Sequence, residues 1–195
     1  MLRIVNIEEI DIMLLRISSL IDQQERGDTN FAENVKEWLS KLEKMLETNR
    51  MPVAGNVATL RGLLISAERG DIPPDVKFYG RPTRRKIRET TTSYVIRQTC
   101  NLVSNVIQRD RERFAEAEGI TRQLVALATA KGLIQELPNG KDNTDLLKDL
   151  WKTLSKDPEL SSGTVNVEGL IGLYDALIVL DRTIAKDVVG ARPIS

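Results

Sequence analysis

The chain has no histidine, a single cysteine and only 4% aromatic residues. Without histidine there can be no Ser-His-Asp or Cys-His triad and no Glu-x-x-His di-metal helix, and nearly every route to a zinc site is closed. The lone Cys100 rules out a disulfide framework. With no general base near it and no basic neighbour closer than Arg97, it reads as core packing. So few aromatics leave an aliphatic core and no extended base-stacking surface. Net charge is missing too: Lys plus Arg and Asp plus Glu number 28 each, so any electrostatic preference for nucleic acid or membrane must be local. No apolar run approaches the roughly 20 residues that span a bilayer. Met13-Leu14-Leu15 sits among Glu8, Glu9, Asp11 and Arg16 rather than in a signal-peptide core. Together these absences predict a cytoplasmic protein that is not an enzyme and takes no metal or cofactor.

What remains is helix. A chain of 195 residues is long enough for one full-sized domain or two small helical halves. The organising stretch is Thr83 to Gly119. Within it Val95, Leu102 and Val106, and one position along Ile96, Val103 and Ile107, form one broad apolar stripe at about 100° per residue. Projected backward, the same stripe meets Arg84, Arg85, Arg88 and Thr92, and a guanidinium buried there without a partner would cost several kcal/mol. Either the helix projects past the body of the domain, or residues 80 to 92 form a basic arm and the helix begins near Ser93. The run Thr90-Thr91-Thr92-Ser93 favours the second arrangement, because these side chains are stiff or compete for backbone hydrogen bonds. If Thr83 is the N-cap, Arg84, Arg85 and Lys86 oppose the helix dipole in the first turn.

The rest of the chain reads as further helices. Asn6 caps a first helix to about Gln24, with Ile10, Met13, Leu14, Ile17, Leu20 and Ile21 inward and Gly27-Asp28 as its end. Thr29 or Asn30 opens a second, with Phe31, Val35, Trp38, Leu39, Leu42, Met45 and Leu46 inward. A third covers Val53 to Arg69, where Gly55 and Gly62 either weaken it or mark close approach of a neighbour. Pro73-Pro74 is the strongest break. Beyond it Val76 to Pro82 is a short strand or ordered loop. Gly119 interrupts the long helix and Thr121 restarts it as far as Lys131. Leu137 to Lys141 is a turn, Thr144 caps a short helix through Leu154, and Glu159 to Thr164 is loop. Asn166 opens a last helix that is apolar on most sides. The expected architecture is all-α: a helical bundle of six or seven helices around one long central helix, with two helical subdomains as a variant. Its parts are an N-terminal three-helix region (1–72), a linker or basic loop (73–82) and a C-terminal helical bundle (83–195).

One region carries a candidate site for nucleic acid or another polyanion. Lys77, Arg81, Arg84, Arg85, Lys86, Arg88 and Arg97 face Glu89 alone, with Phe78 and Tyr79 beside them; clustered cations neutralise phosphates and an adjacent ring can stack on an unpaired base. The alternative is a solvated face docking on an acidic helix such as Glu8 to Asp11. Arg109, Arg111 and Arg113, alternating with Asp110 and Glu112, read as an exposed face. Asp181 projects into the apolar stripe of the last helix. Gly140-Lys141 resembles the end of a P-loop, but Gln135 replaces its first glycine and Asp142 its Ser or Thr. The leading expectation is a non-enzymatic interaction or assembly subunit acting through protein–protein contacts, self-association included. The other is an RNA- or DNA-binding protein using residues 77–97, within a ribonucleoprotein or capsid-like assembly.

Overall fold

The computed structural model describes residues 1–78, 80–134 and 144–190, the last five of these by backbone alone. Among the described residues the chain is all-α, with seven helices and no strand: α1 (Ile4–Glu25), α2 (Phe31–Thr48), α3 (Val53–Arg69), α4 (Arg84–Ala130), α5 (Thr144–Lys156), α6 (Ser161–Ile171) and α7 (Leu173–Gly190). The expected long helix is α4, and it runs through Gly119 without interruption. Contacts divide the chain into two units, residues 4–109 with Leu2, and residues 110–195 with Met1 and Arg3. The division falls inside α4 rather than at Pro73-Pro74, because Val95, Ile96, Val103 and Ile107 share one core with α1, α2 and α3.

In the first unit, α2 shows how the sequence builds that core. Phe31, Val35, Trp38, Leu39, Leu42 and Leu46 recur at three- and four-residue steps and are all buried. The Trp38 indole N–H donates to the Met13 carbonyl at 2.8 Å, so the largest core side chain also pins α1 to α2. Lys36 bridges Glu33 at 2.6 Å and Glu68 at 2.8 Å, linking α2 to α3. The turn after α2 carries the one left-handed non-glycine residue described, Arg50 with φ 54°. There the Arg50 N–H donates to Glu47 O at 2.8 Å and the Met51 N–H to Leu46 O at 2.9 Å. Met51 and Leu46 are both buried, which completes a Schellman ending that Gly27 and Gly70 supply after α1 and α3. Helix α1 begins before Asn6, whose side chain bonds Asn49 instead of capping. No Cβ at Gly55 or Gly62 would meet another atom within 4 Å, so these glycines do not mark close approach.

In the second unit, Phe114, Ala117, Leu124, Val125 and Ala128 of α4 are buried, as are Leu147, Trp151 and Leu154 of α5. The Trp151 indole N–H donates to Glu168 at 2.6 Å. Helix α6 begins at Ser161, inside the stretch expected to be loop, and a Cβ on Gly163 would lie 2.7 Å from Leu124 Cδ2. Here, unlike in α3, the glycine does permit close approach of two helices. The single last helix of the sequence reading is two, because Gly172 (φ 79°) separates α6 from α7 with a bend of 116°. No single helix among the described residues is long and apolar enough to cross a membrane, and only the bent α6–α7 pair reaches that length and composition.

Candidate functional site

The basic segment lies in the first unit and belongs to α4 and the loop before it. Helix α4 begins at Arg84, not near Ser93. The Thr83 hydroxyl accepts from the Lys86 N–H at 3.2 Å and its carbonyl from the Ile87 N–H at 2.9 Å. The four hydroxyl residues 90–93 are helical: Thr92 and Ser93 return their hydroxyls to the carbonyls of Arg88 and Glu89 at 2.8 and 3.0 Å. The buried row at this end of α4 runs through Ile87, Thr91, Val95, Thr99, Val103 and Ile107 in steps of four. Threonine, shaped much like valine, can continue such a row, but Thr91 and Thr99 are wholly buried and their hydroxyls have no partner among the described residues.

The arginines flank this row in solvent. Lys77, Arg81, Arg84, Lys86, Arg88 and Arg97 are exposed and have no ion pair among the described residues. Arg85 alone is paired, with Glu89 one turn on at 2.7 Å. None of the seven is paired with Glu8, Glu9 or Asp11. Phe78 is half-buried, and Tyr79 lies outside the described residues.

The cations do not share one surface. Arg84, Arg85 and Arg88 line a shallow depression with Ala67 and Glu68 at the end of α3. Arg85 and Arg88 also line a neighbouring one beside the turn containing Gly27, Asp28 and Thr29. The carboxylate in the first depression, Glu68, is held by Lys36. Lys77 and Arg97 instead line a cleft of about 900 Å³ between α1 and α4, whose walls include Ile17, Ile21 and Tyr94. Lys86 precedes Arg97 by eleven residues, about three turns, and so stands on the same side of α4. The segment read as one site is therefore two groups, Arg84, Arg85 and Arg88 against Lys77, Lys86 and Arg97, with exposed Arg81 in the loop before α4.

Other readings are displaced by the geometry. Asp181 is exposed, and among the described side chains of α7 the buried carboxylate is Asp175, which accepts from Arg3 Nε at 2.8 Å. Asp175 and Asp181 stand six residues apart on α7, about 120° round the helix, so they face different sides. Cys100 is half-buried and lines the α1–α4 cleft instead of filling the core. Arg113, read as part of an exposed face, is half-buried and pairs with Asp110 at 3.5 Å. Gly140-Lys141 lies outside the described residues. No group of three His, Cys, Asp or Glu side chains among the described residues could hold a metal ion.

Sequence reasoning passed over one further surface. Val5, Glu8, Ile12 and Leu15 follow one another at steps of three and four, the spacing of a helix–helix seam. They lie opposite the buried row of α1, with Val5 42%, Ile12 59% and Leu15 73% exposed and Glu8 half-buried. The chain matches no known protein family, no curated protein and no solved structure.

Proposed function

We propose that this protein is a non-enzymatic helical assembly subunit that acts through protein–protein contacts, including contacts with its own copies. The outer face of α1 is the observation that carries this reading. Its inner row of Ile10, Met13 and Leu20 is already buried in the first unit's core, while Val5, Ile12 and Leu15 are exposed, so α1 has apolar side chains on two opposite sides. Apolar side chains left exposed on the outer side of a helix whose inner side is packed offer a surface to another helix. The four- and three-residue spacing fits the shallow crossing of helices packed as in coiled coils. Val5, Ile12 and Leu15 would enter that contact while Glu9 and Arg16 border it.

Light scattering coupled to gel filtration tests the reading. Wild-type protein is expected to associate with increasing concentration, and Ile12→Glu with Leu15→Glu to shift it to the smaller species with its circular dichroism unchanged, both positions being solvent-exposed. Identical monomers for wild type and variant at every concentration would count decisively against it.

A second reading, binding of RNA or DNA by residues 77–97, is favoured by a separate observation, the six exposed cations without a carboxylate partner among the described residues. Cations already held in internal pairs have less to offer a phosphate; these are available for it. The separation into two groups means that a bound strand would engage Arg84, Arg85 and Arg88, or Lys77, Lys86 and Arg97, as distinct sets.

A further inference from the structure

The cleft between α1 and α4 is separate from the outer face of α1 and from Arg84, Arg85 and Arg88, and it shares Lys77 and Arg97 with the second reading. At about 900 Å³ it falls within the range of small-molecule sites, roughly 300–1,000 Å³. Its wall is made of Ile17 and Ile21 from α1, Val76 from the loop, and Tyr94 and Ile96 from α4. Ile21 remains 43% exposed, so apolar surface inside a concavity is left to water. Two unpaired cations, Lys77 and Arg97, border the cleft against one carboxylate, Asp75. At another part of the lining Gln24 Nε2 donates to Ser93 Oγ at 2.7 Å, so those polar groups already satisfy each other.

From this we infer that the cleft binds a small amphipathic carboxylate of medium chain length, its tail along the α1 and α4 wall and its head at Lys77 and Arg97. The apolar wall supplies affinity through buried methylenes, and the excess of one positive charge selects an anion over a neutral or cationic amphiphile. The ligand is a small molecule and not an acidic peptide because the apolar wall is concave and the charge excess at its border is one.

Dodecanoate, kept below its micelle concentration, is the probe, followed by calorimetry on the full chain. A second readout is protection from a thiol reagent of Cys100, the only thiol in the chain, which lines the cleft. Saturable binding is expected, tightening about two- to fourfold per methylene from octanoate to dodecanoate. Lys77→Ala with Arg97→Ala should weaken dodecanoate about tenfold and leave dodecanol unchanged. Ile21→Glu should abolish binding of both. These positions are exposed enough for the variants to fold, which circular dichroism checks. The proposal is overturned if nothing saturates, if dodecanol or dodecyltrimethylammonium binds as tightly as dodecanoate, or if saturating dodecanoate leaves Cys100 unprotected. An acidic helical peptide that protects Cys100 where dodecanoate does not would likewise overturn it.

Discussion

Arg85 donates to the Glu89 carboxylate at 2.7 Å, one turn further along α4, while Arg84 and Arg88 beside it have no such partner. The pair is exposed and weak, yet it removes one cation and supplies one repulsive charge where a phosphate would sit. If residues 77–97 bind nucleic acid, Arg84→Ala with Arg88→Ala should lower affinity for a single-stranded oligonucleotide and reduce the log–log salt slope by about 1.4. Glu89→Ala should act in the opposite sense, freeing Arg85 and strengthening binding. A salt-independent affinity, or no response to either change, would remove the second reading.

Glycine gives opposite predictions in α3 and α6. Gly62 is exposed in mid-helix and Gly55 in the first turn of α3, neither with an atom within 4 Å of an added Cβ, so Gly62→Ala should stabilise by about 0.5–1 kcal/mol and Gly55→Ala by less. At Gly163 the new methyl would press on Leu124 Cδ2 at 2.7 Å inside a packed core, and Gly163→Ala should destabilise by about 1 kcal/mol despite the helical gain. Urea unfolding of the three variants decides; a stabilised Gly163→Ala would mean that α6 and α4 are not packed so closely.

Buried hydroxyls without partners mark positions where valine should do better. Thr99 and Thr121 are wholly buried and their hydroxyls bond to nothing described, so Thr99→Val and Thr121→Val should each raise stability by about 1 kcal/mol. Thr92 is equally buried, but its hydroxyl reaches the Arg88 carbonyl at 2.8 Å, and Thr92→Val should be close to neutral. Thermal unfolding of the three side by side measures the contrast, and equal shifts would show that the hydroxyls of Thr99 and Thr121 do find partners.

Helix α2 was legible almost residue by residue, because a single clean face is buried and the opposite one is charged. Where the pattern misled, tertiary burial had overridden local preference. Thr90 to Ser93 read as a helix breaker, yet Thr91 and Thr92 are buried between Ile87 and Val95 and the helix runs straight through them. Leu170, Ile171 and Leu173 carry apolar periodicity across Gly172, so the sequence showed one helix where the backbone turns. Asp181 was read as inward because it follows Tyr174 by seven residues, but Tyr174 is itself 71% exposed. The outer stripe of α1 was also readable, since its four- and three-residue steps are plain once Ile10 and Met13 are assigned inward. It was missed because one apolar face is enough to explain a helix. The division of the basic segment was not readable, because the depressions are formed by α3, the α1–α2 turn and α1, which lie far off in sequence.

In the second unit Lys131 holds Asp157 at 2.9 Å and Glu159 at 2.7 Å just beyond the end of α4. The Lys131 ammonium first, and then the Glu159 backbone N–H, keep the Asp157 carboxyl below its ordinary range. Glu159 and then Asp157 raise the Lys131 ammonium above its own. A depressed carboxyl contributes stability that is complete above its unfolded value and is lost as pH falls through the folded one; a raised ammonium contributes stability that is complete below its unfolded value and is lost as pH rises through the folded one. The pair therefore adds a plateau between an acid limb owed to Asp157 and an alkaline limb owed to Lys131. Both limbs are shallow, since Lys131 and Glu159 are exposed and solvent screens the cluster. Lys131→Met should flatten both limbs and return the Asp157 carboxyl upward toward the usual carboxylate value in a carbon-detected NMR titration. If Asp157 already titrates at that value in the wild type and does not move in the variant, the bridge makes no contribution in solution.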